Sequence, residues 1–298
     1  MKTLHQFFLF SLLLISSFTY AQYTDVINSN RPGNSMSAFS VGTKVLQAEL
    51  GGSYEYKEHT GLLTQNYLNH LDFAVRYGFF KEQLEIVWDG QYAFDEFHDN
   101  GVSPSTSQKI KYFSRNTIGL KYLIYDPYKK ERKPNLYSWR KNNVLQWHDL
   151  IPAVAVYFGG NLNLGTPNPM YPEASTFSPK GIIATQNNFG YNWVFVTNFI
   201  YDRFTEDDPI FSYILTLTHT LNNPKYSIFV EHQGIKSDAY GDGLIRIGAA
   251  RLFSKNFQID ISAGTNIKDT PSRYFGGIGI SYRLDRHQDA LIGIRKKE

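Results

Sequence analysis

Apolar and polar side chains alternate over long stretches of this chain, and this period of two limits the fold more than any other feature. From position 46 to position 56, leucine, alanine, glycine or tyrosine stands at every second residue, and Gln47, Glu49 and Glu55 stand between them. Such alternation is typical of a β-strand with one apolar and one polar side. These stretches last about ten residues or more, longer than the usual strand of about five or six, and suit a tilted crossing of a bilayer.

Polar connections separate these stretches, and longer connections alternate with shorter ones. Outer-membrane barrels have this arrangement, with long outer loops and short periplasmic turns. The longer connections are residues 57–66, 95–108, 163–180, 202–209, 236–243 and 268–273, and the shorter ones are 78–83, 188–192, 222–225 and 254–256. With both ends on the periplasmic side, the count is about twelve strands. This parity requires two strands within 181–201, joined around residues 188–192.

The chain is rich in aromatic residues, with 21 Tyr, 22 Phe and 4 Trp, yet its mean hydropathy is only −0.35. A soluble domain would have to bury these rings alongside many polar residues. A transmembrane barrel instead places aromatic and aliphatic side chains toward lipid and polar ones toward the lumen. We therefore predict an all-β fold: a transmembrane antiparallel up-and-down β-barrel of about 12 strands, with a periplasmic insertion between strands 4 and 5.

The N-terminus has the features of a secretory signal peptide. Lys2 precedes an apolar run at 7–15, and small or polar residues follow up to Ala21, after which we expect cleavage. The run is too short for a membrane-spanning helix, which needs about 20 apolar residues. The predicted organisation is a cleaved signal peptide at 1–21, a periplasmic N-terminal segment at 22–42, the barrel at 43–285 and a periplasmic C-terminal tail at 286–298. The expected location is the outer membrane of a Gram-negative bacterium.

Residues 126–150 form the connection that departs from this arrangement. The first half is basic, and the second half places Leu136, Trp139, Val144 and Trp147 on one helical arc. One interpretation is a helix on the periplasmic membrane surface, with Trp at headgroup depth. The other is an extended turn that leads into the fifth strand. The first interpretation also makes this insertion a candidate binding site for a periplasmic protein partner.

The fourth strand shows how the alternation assigns side chains to faces. Ile110, Tyr112 and Ile118 fall on its apolar side, and Lys111 and Arg115 fall on its polar side. We therefore predict that the Tyr112 ring faces lipid.

Charged residues collect on the polar side of the strands, which in a barrel faces the lumen. These candidates for lumen lining are Asp72, Arg76, Glu85, Asp89, Arg115, Lys121, Glu231, Arg246, Asp260 and Arg283. Two interpretations are open: they line a channel and set its selectivity, or they neutralise one another as Arg–carboxylate pairs in a filled lumen. We expect charged groups of the second and third strands to meet, because neighbouring strands lie about 4.8 Å apart.

No other chemistry is indicated by the sequence. The absence of cysteine excludes disulfides, thiolate catalysis and Cys-bound metal. His219 has no serine at strand spacing to complete a catalytic pair, and the acidic loops lack the spacing of a calcium loop. We predict no catalytic residue, metal site or cofactor, and a net charge of +3 does not indicate a nucleic-acid partner. The expected partners are outer-membrane lipid and an unknown small-molecule solute.

Two segments carry a resemblance to a known family: TDVINSNRPGNSMSAFSVGTKVLQAELGGSYEY at 24–56 and YFGGIGISYRLD at 274–285. The stretches VEHQG at 230–234 and IRIGAARL at 245–252 fit the same layout. The sequence resembles the outer-membrane transporters named after the meta-cleavage pathway of phenol degradation. The resemblance implies a β-barrel with a transport role and assigns no binding residue.

The leading hypothesis is a channel or transporter for small molecules, with hydrophobic or aromatic ones suggested by the family name. The alternative is a non-transporting outer-membrane barrel that serves as an anchor or accessory subunit of a larger envelope complex. Conductance in planar bilayers would distinguish the two.

Overall fold

The computed structural model describes residues 24, 26–129, 137, 147–169, 171–190 and 192–287, and it shows a closed antiparallel β-barrel. Its strands are β1 (Val45–His59), β2 (Thr64–Gly78), β3 (Leu84–Asp99), β4 (Thr106–Tyr125), β5 (Ala153–Leu162), β6 (Phe177–Phe189), β7 (Trp193–Asp202), β8 (Ile210–Thr220), β9 (Tyr226–Lys236), β10 (Gly241–Ser254), β11 (Phe257–Asn266) and β12 (Ser272–Asp285). Each strand pairs with its neighbours in sequence, and β1 pairs with β12 to close the sheet. The prediction of twelve strands is confirmed, as is the division of 181–201 between β6 and β7.

The connections between strands lie at two rims of the barrel. Val45 at the start of β1 pairs with Asp285 at the end of β12, and we call the rim that holds both the terminal rim. The connections β2–β3, β4–β5, β6–β7, β8–β9 and β10–β11 lie at this terminal rim. The remaining connections lie at the opposite rim.

Only part of the predicted insertion between β4 and β5 lies within the described residues. There the chain forms short 3-10 helices at Pro127–Lys129 and Trp147–Leu150. The predicted helical arc depends on Leu136, Trp139 and Val144, which lie outside the described residues, as do the predicted signal peptide and residues 288–298 of the tail. Within the described part of the chain, no helix is long and apolar enough to cross a membrane.

Large apolar side chains cover the outside of the barrel. Leu50, Phe158, Ile247 and Ile278 lie on four different strands and are 46–66% exposed. A closed barrel pairs its backbone N–H and C=O groups between strands, which is one of the two ways to satisfy them in a bilayer. The outer surface and the closed sheet together fit a hydrocarbon environment.

A β-bulge in β4 makes the predicted orientation of Tyr112 wrong. Gln91 pairs with Arg115 and the next residue of β3 pairs with Phe113, so Ser114 has no partner in the ladder. One extra residue in a strand reverses the facing of all residues beyond it. Tyr112 is therefore buried inside the barrel, where its hydroxyl donates a hydrogen bond to Asp95 at 2.6 Å.

The segment before β1 lies inside the barrel, which corrects the expectation of a periplasmic segment at 22–42. We call residues 26–42 the N-terminal segment. The segment enters at the terminal rim, where Ile27 N–H donates to the carbonyl oxygen of Lys255 at 2.8 Å, and the chain returns there, where Lys44 N–H donates to Gly78. Between these points Phe39 packs in a buried cluster with Leu123 and alanines of β5 and β6. The segment therefore forms a loop that occupies the lumen.

Candidate functional site

Three charged side chains of β2, β3 and β4 form a buried cluster against the N-terminal segment. Nη2 of Arg76 lies 3.0 Å from Oε1 of Glu85, and Nζ of Lys121 lies 2.7 Å from the same oxygen. None of the three side chains is exposed to solvent. The other oxygen of Glu85 accepts a hydrogen bond from Val41 N–H at 2.8 Å. One carboxylate therefore neutralises two cations in part and also binds the segment.

The two cations of this cluster donate hydrogen bonds to backbone carbonyl groups of the N-terminal segment. Nη1 of Arg76 lies 2.8 Å from the oxygen of Asn28, and Nη2 lies 3.1 Å from that of Phe39. Nζ of Lys121 donates to the oxygens of Ser37 and Phe39, at 2.9 and 2.8 Å. These contacts satisfy carbonyl groups that no strand partner reaches, because the segment lies outside the sheet.

On the other side of the lumen, a carboxylate binds the deepest turn of the segment. Oε2 of Glu231 accepts hydrogen bonds from the N–H groups of Asn34 and Ser35, at 3.0 and 3.3 Å, and from the hydroxyl of Thr216 at 2.8 Å. Arg246, which pairs with Glu231 in the β9–β10 ladder, forms an ion pair with it. Here the wall supplies negative charge to backbone N–H groups, whereas the Arg76 cluster supplies positive charge to carbonyl groups.

Neutral amides complete the attachment of the segment. The side chain of Asn198 in β7 binds both backbone groups of Met36: its oxygen accepts from the N–H at 2.6 Å and its nitrogen donates to the carbonyl oxygen at 2.9 Å. The hydroxyl of Ser37 donates to Gln186 of β6 at 2.9 Å. These side chains supply the hydrogen bonds that a neighbouring strand would supply in a sheet.

The side chain of Arg31 joins the segment to the barrel wall through an ion pair. Its Nη2 lies 3.2 Å from Oδ1 of Asp260 in β11. Its backbone oxygen accepts a hydrogen bond from Gln258 at 3.2 Å, and the neighbouring Asn30 N–H donates to Glu49 at 3.3 Å. The turn that follows Asn30 is thus attached to strands on both sides of the β1–β12 closure.

Two cavities lie on either side of the N-terminal segment. The larger has a volume of about 550 Å³ and extends to Lys57 and Arg273 near the opposite rim. The smaller has a volume of about 250 Å³ and extends to Thr220 and Lys225 at the terminal rim. Residues 30–33 line both cavities. The turn of the segment therefore lies between them.

The wall of the larger cavity carries charges of both signs, mostly in pairs. These ion pairs are Arg115–Asp89 (2.9 Å), Lys180–Asp202 (3.6 Å) and Arg273–Glu55 (2.6 Å). Asp72 differs, because it accepts hydrogen bonds from the neutral groups of Ser53 at 2.9 Å and Gln91 at 2.7 Å. A solute in this cavity meets a surface that has many charged groups but little net charge.

The smaller cavity has a different lining. Hydroxyl groups of Thr216, Thr218 and Thr220 alternate along β8, and Val196 and Leu252 add apolar surface. Its charged lining residues, among those that the structure describes, are Arg31, which is paired with Asp260, and Lys225. The two cavities therefore offer different chemical surroundings on the two sides of the segment.

Aromatic side chains of two loops stand at the opposite rim. The guanidinium carbon of Arg203 lies 4.1 Å from the ring centre of Tyr171, a cation–π contact. Burial, together with a hydrogen bond to Asp242, raises the pKa of Tyr240 to about 12. Tyr240 therefore keeps its proton at neutral pH and remains a hydrogen-bond donor at the mouth of the larger cavity.

The structure divides the predicted lumen residues into three groups. Those that contact the N-terminal segment, or pair with a wall residue that does, are Arg76, Glu85, Lys121, Glu231, Arg246 and Asp260. Those at the larger cavity without contact to the segment are Asp72, Asp89 and Arg115. Arg283 lies at the terminal rim, where it donates to the carbonyl oxygen of Thr24 at 2.7 Å.

The alternation of apolar and polar residues does not predict the partners on the segment itself, above all Arg31, or the wall amides Asn198 and Gln186. Each of these amides lies on the inward face of its strand. If the lumen held only water, any polar residue would be suitable there, so an amide at this place would not indicate a binding partner. A buried amide requires hydrogen-bond partners. Inward-facing Asn and Gln near mid-strand were the available signal of an occupied lumen.

The chain matches a protein family by sequence and a solved outer-membrane channel by fold. The family model described as "Putative MetA-pathway of phenol degradation" matches residues 29–284. The COG4313 outer membrane channel from Pseudomonas putida F1 is 8% identical, with a TM-score of 0.54 over 87% of this chain and 100% of that one. The NanC porin is 10% identical, with a TM-score of 0.49 over 80% and 100%. No curated protein matches the chain by sequence. At such low identity the likeness to the Pseudomonas channel shows a shared fold.

Proposed function

This chain belongs to the family whose description names phenol degradation, and from that premise we propose that it is an outer-membrane channel for small solutes in which the N-terminal segment controls passage. The observation that carries the proposal is the pair of cavities separated by residues 30–33. A solute that crosses the lumen has to pass this turn. Movement of the turn would therefore join the two cavities into one path.

The way in which the segment is attached supports a reversible closure. Many of its contacts with the wall are hydrogen bonds and ion pairs, such as Lys121 to Phe39 and Asn198 to Met36. Water can replace such bonds when the segment moves, so that a neutral hydrogen bond contributes only about 0.5–1.5 kcal/mol net and one to a charged group about 1.5–3 kcal/mol. Strand pairing holds the barrel wall independently of the segment.

The outer surface supports a location in the outer membrane, and the position of the termini supports an orientation. The apolar outer side chains fit lipid, and a closed barrel of this kind fits the outer membrane. In such barrels the termini and short turns face the periplasm. The terminal rim and the smaller cavity would then face the periplasm, and the larger cavity would open to the outside.

The two linings, together with the family description, support a solute class. A small aromatic molecule with a polar substituent would find charged partners in the larger cavity and both hydroxyl and apolar surface in the smaller one. Phenols and aromatic acids have these features. We propose this class as the first to be tested.

The test is single-channel current in planar bilayers, with intact protein compared with a variant that lacks residues 28–41. Both proteins should show the gel shift between boiled and unboiled samples that indicates a folded barrel. We expect larger and more frequent conductance steps from the variant, and faster uptake of benzoate by liposomes that contain it. If the deletion changes neither current nor uptake, the segment does not control passage.

A folded barrel that is silent in both forms would favour the alternative function, a non-transporting anchor or accessory subunit of an envelope complex. The observation that supports this alternative is that the N-terminal segment occupies the lumen. The same bilayer experiment therefore separates the two functions.

A further inference from the structure

Two glycines face each other across the closure of the barrel and lie directly beneath Arg31. Gly51 of β1 pairs with Gly279 of β12. A Cβ atom on Gly51 would lie 2.4 Å from each of Cζ, Nη1 and Nη2 of Arg31, and one on Gly279 would lie 2.2–2.4 Å from Nε, Nη2 and Cζ. Non-bonded atoms do not approach so closely. The guanidinium thus occupies the space that two side chains would fill.

The distances also show how the guanidinium lies on the wall. A point that lies 2.4 Å from each of Cζ, Nη1 and Nη2 is well out of the plane of the guanidinium, because an equidistant point within the plane would be only about one bond length from these atoms. The Gly51 position is equidistant from Cζ, Nη1 and Nη2 of Arg31, and the Gly279 position is nearly so for its three atoms. Cβ positions of directly paired residues lie about 4.5–5.5 Å apart, and the distances allow this only if the two positions lie on opposite faces of the guanidinium. The planar group therefore stands between the two glycines.

The register of the strands makes this place a site for a cation. Gly279 pairs with Asp260 on β11, and Gly51 pairs with Asp72 on β2, so one row across four strands reads Asp72, Gly51, Gly279, Asp260. Arg31 forms its ion pair with the carboxylate at one end of the row. Its Nη2 also donates to the carbonyl oxygen of Ile278 at 3.3 Å.

From this geometry we infer that Gly51 and Gly279 form a seat for Arg31, and that the seat positions the turn of the N-terminal segment between the two cavities. We call the two glycines the Arg31 seat. Asn34 and Ser35 follow shortly after Arg31 in the chain, and they carry the N–H groups that Glu231 binds. The inference rests on the proposed role of the segment, and it assigns the two glycines as positioning residues for that role.

Substitution of these glycines can be separated from damage to the barrel. The nearest atoms to a Cβ at either position all belong to the end of the Arg31 side chain, and no backbone atom is among them. A methyl group therefore displaces the guanidinium, which can turn into a cavity, and leaves the strand in place. Gly52 is the matched control, because it is the next residue on β1, faces outward, and would meet nothing within 4 Å.

The test uses the absence of cysteine in the natural chain. A Ser35→Cys reporter lies in the buried part of the segment next to the turn, and its rate of reaction with a small maleimide reports how often the turn leaves its place. We expect Gly51→Ala and Gly279→Ala each to raise this rate about tenfold, the effect of losing one charge-assisted hydrogen bond. Gly52→Ala should leave the rate at the value of the reporter alone.

A double-mutant cycle distinguishes loss of the contact between Gly51 and Arg31 from a general destabilisation of the strands. Arg31→Ala should raise the rate to the same extent, and Gly51→Ala added to Arg31→Ala should raise it no further, because the two changes remove one contact. Unchanged labelling in both glycine variants, or effects that add to that of Arg31→Ala, would overturn the inference. Loss of folding in both glycine variants would do the same, since the glycines would then serve the backbone.

The labelling rate does not depend on whether solutes pass through the barrel. If deletion of 28–41 changes the current but the glycine variants do not change labelling, the Arg31 seat is wrong and the proposed function stands. If labelling responds as expected but the deletion leaves the current unchanged, the seat exists and the proposed function fails.

Discussion

Arg76 and Glu85 form an ion pair across β2 and β3, with 3.0 Å between Nη2 and Oε1 and no solvent exposure of either side chain. Because Lys121 shares this carboxylate, we expect Glu85→Gln to leave two buried cations without their counter-charge. Removal of one partner of a buried pair costs about 3–5 kcal/mol. The measurement is the free energy of unfolding in urea, followed by the gel shift of the folded barrel.

Glu96→Gln is the matched control for this prediction. Glu96 pairs with Lys109 at 3.2 Å, but both side chains are accessible to solvent, and such pairs contribute about 0–1 kcal/mol. Equal effects of Glu85→Gln and Glu96→Gln would mean that Glu85 does not hold the buried cluster together.

Arg115 is expected to influence ion selectivity without supporting the fold. It pairs with Asp89 at 2.9 Å in the wall of the larger cavity and remains partly exposed. Arg115→Ala would leave the Asp89 carboxylate unpaired, so the permeability ratio of K⁺ to Cl⁻ should rise. Reversal potentials in a salt gradient measure this ratio. Lys109→Ala removes the same charge from a more exposed position on β4, and an equal response to both variants would show that the larger cavity does not lie on the ion path.

The depth of a charge on the outer face should determine its effect on stability. Ile278 lies midway along β12 and is 64% exposed, whereas Leu284 lies next to the terminal rim on the same face. An outward Arg costs about 2–4 kcal/mol at the bilayer midplane and about 0–1 kcal/mol near the interface. We therefore expect Ile278→Arg to lower the unfolding free energy in lipid vesicles far more than Leu284→Arg. The same small change in both would place the hydrophobic band elsewhere.

The barrel itself could be predicted from sequence because each strand residue faces one of two very different environments. Leu50 and Ile278 face outward and Glu49 and Glu85 face inward, and a period of two records that difference residue by residue. The pattern fails where the ladder has an extra residue. Nothing in the sequence around Ser114 marks a bulge, so Tyr112 was assigned to the wrong face beyond it.

The occupied lumen could not be predicted in the same way, because its contacts join residues far apart in the chain. Asn34 meets Glu231, and Met36 meets Asn198, through backbone groups that have no residue-specific signature. A segment without helix or strand periodicity gives no indication of where it packs. The alternation therefore predicts the charged wall residues but not the segment that they bind.

The most direct test of the proposed function is to hold the N-terminal segment in place and measure the current. The hydroxyl of Ser37 donates to Gln186 at 2.9 Å, so Ser37→Cys with Gln186→Cys places two thiols within reach of a short cross-linker in a chain without other cysteines. A short bifunctional methanethiosulfonate can bridge them, a reductant can remove the bridge, and the Ser37→Cys variant alone controls for the reagent. We expect conductance steps to disappear when the bridge forms and to return on reduction. Unchanged steps with the bridge complete would contradict the claim that the segment controls passage.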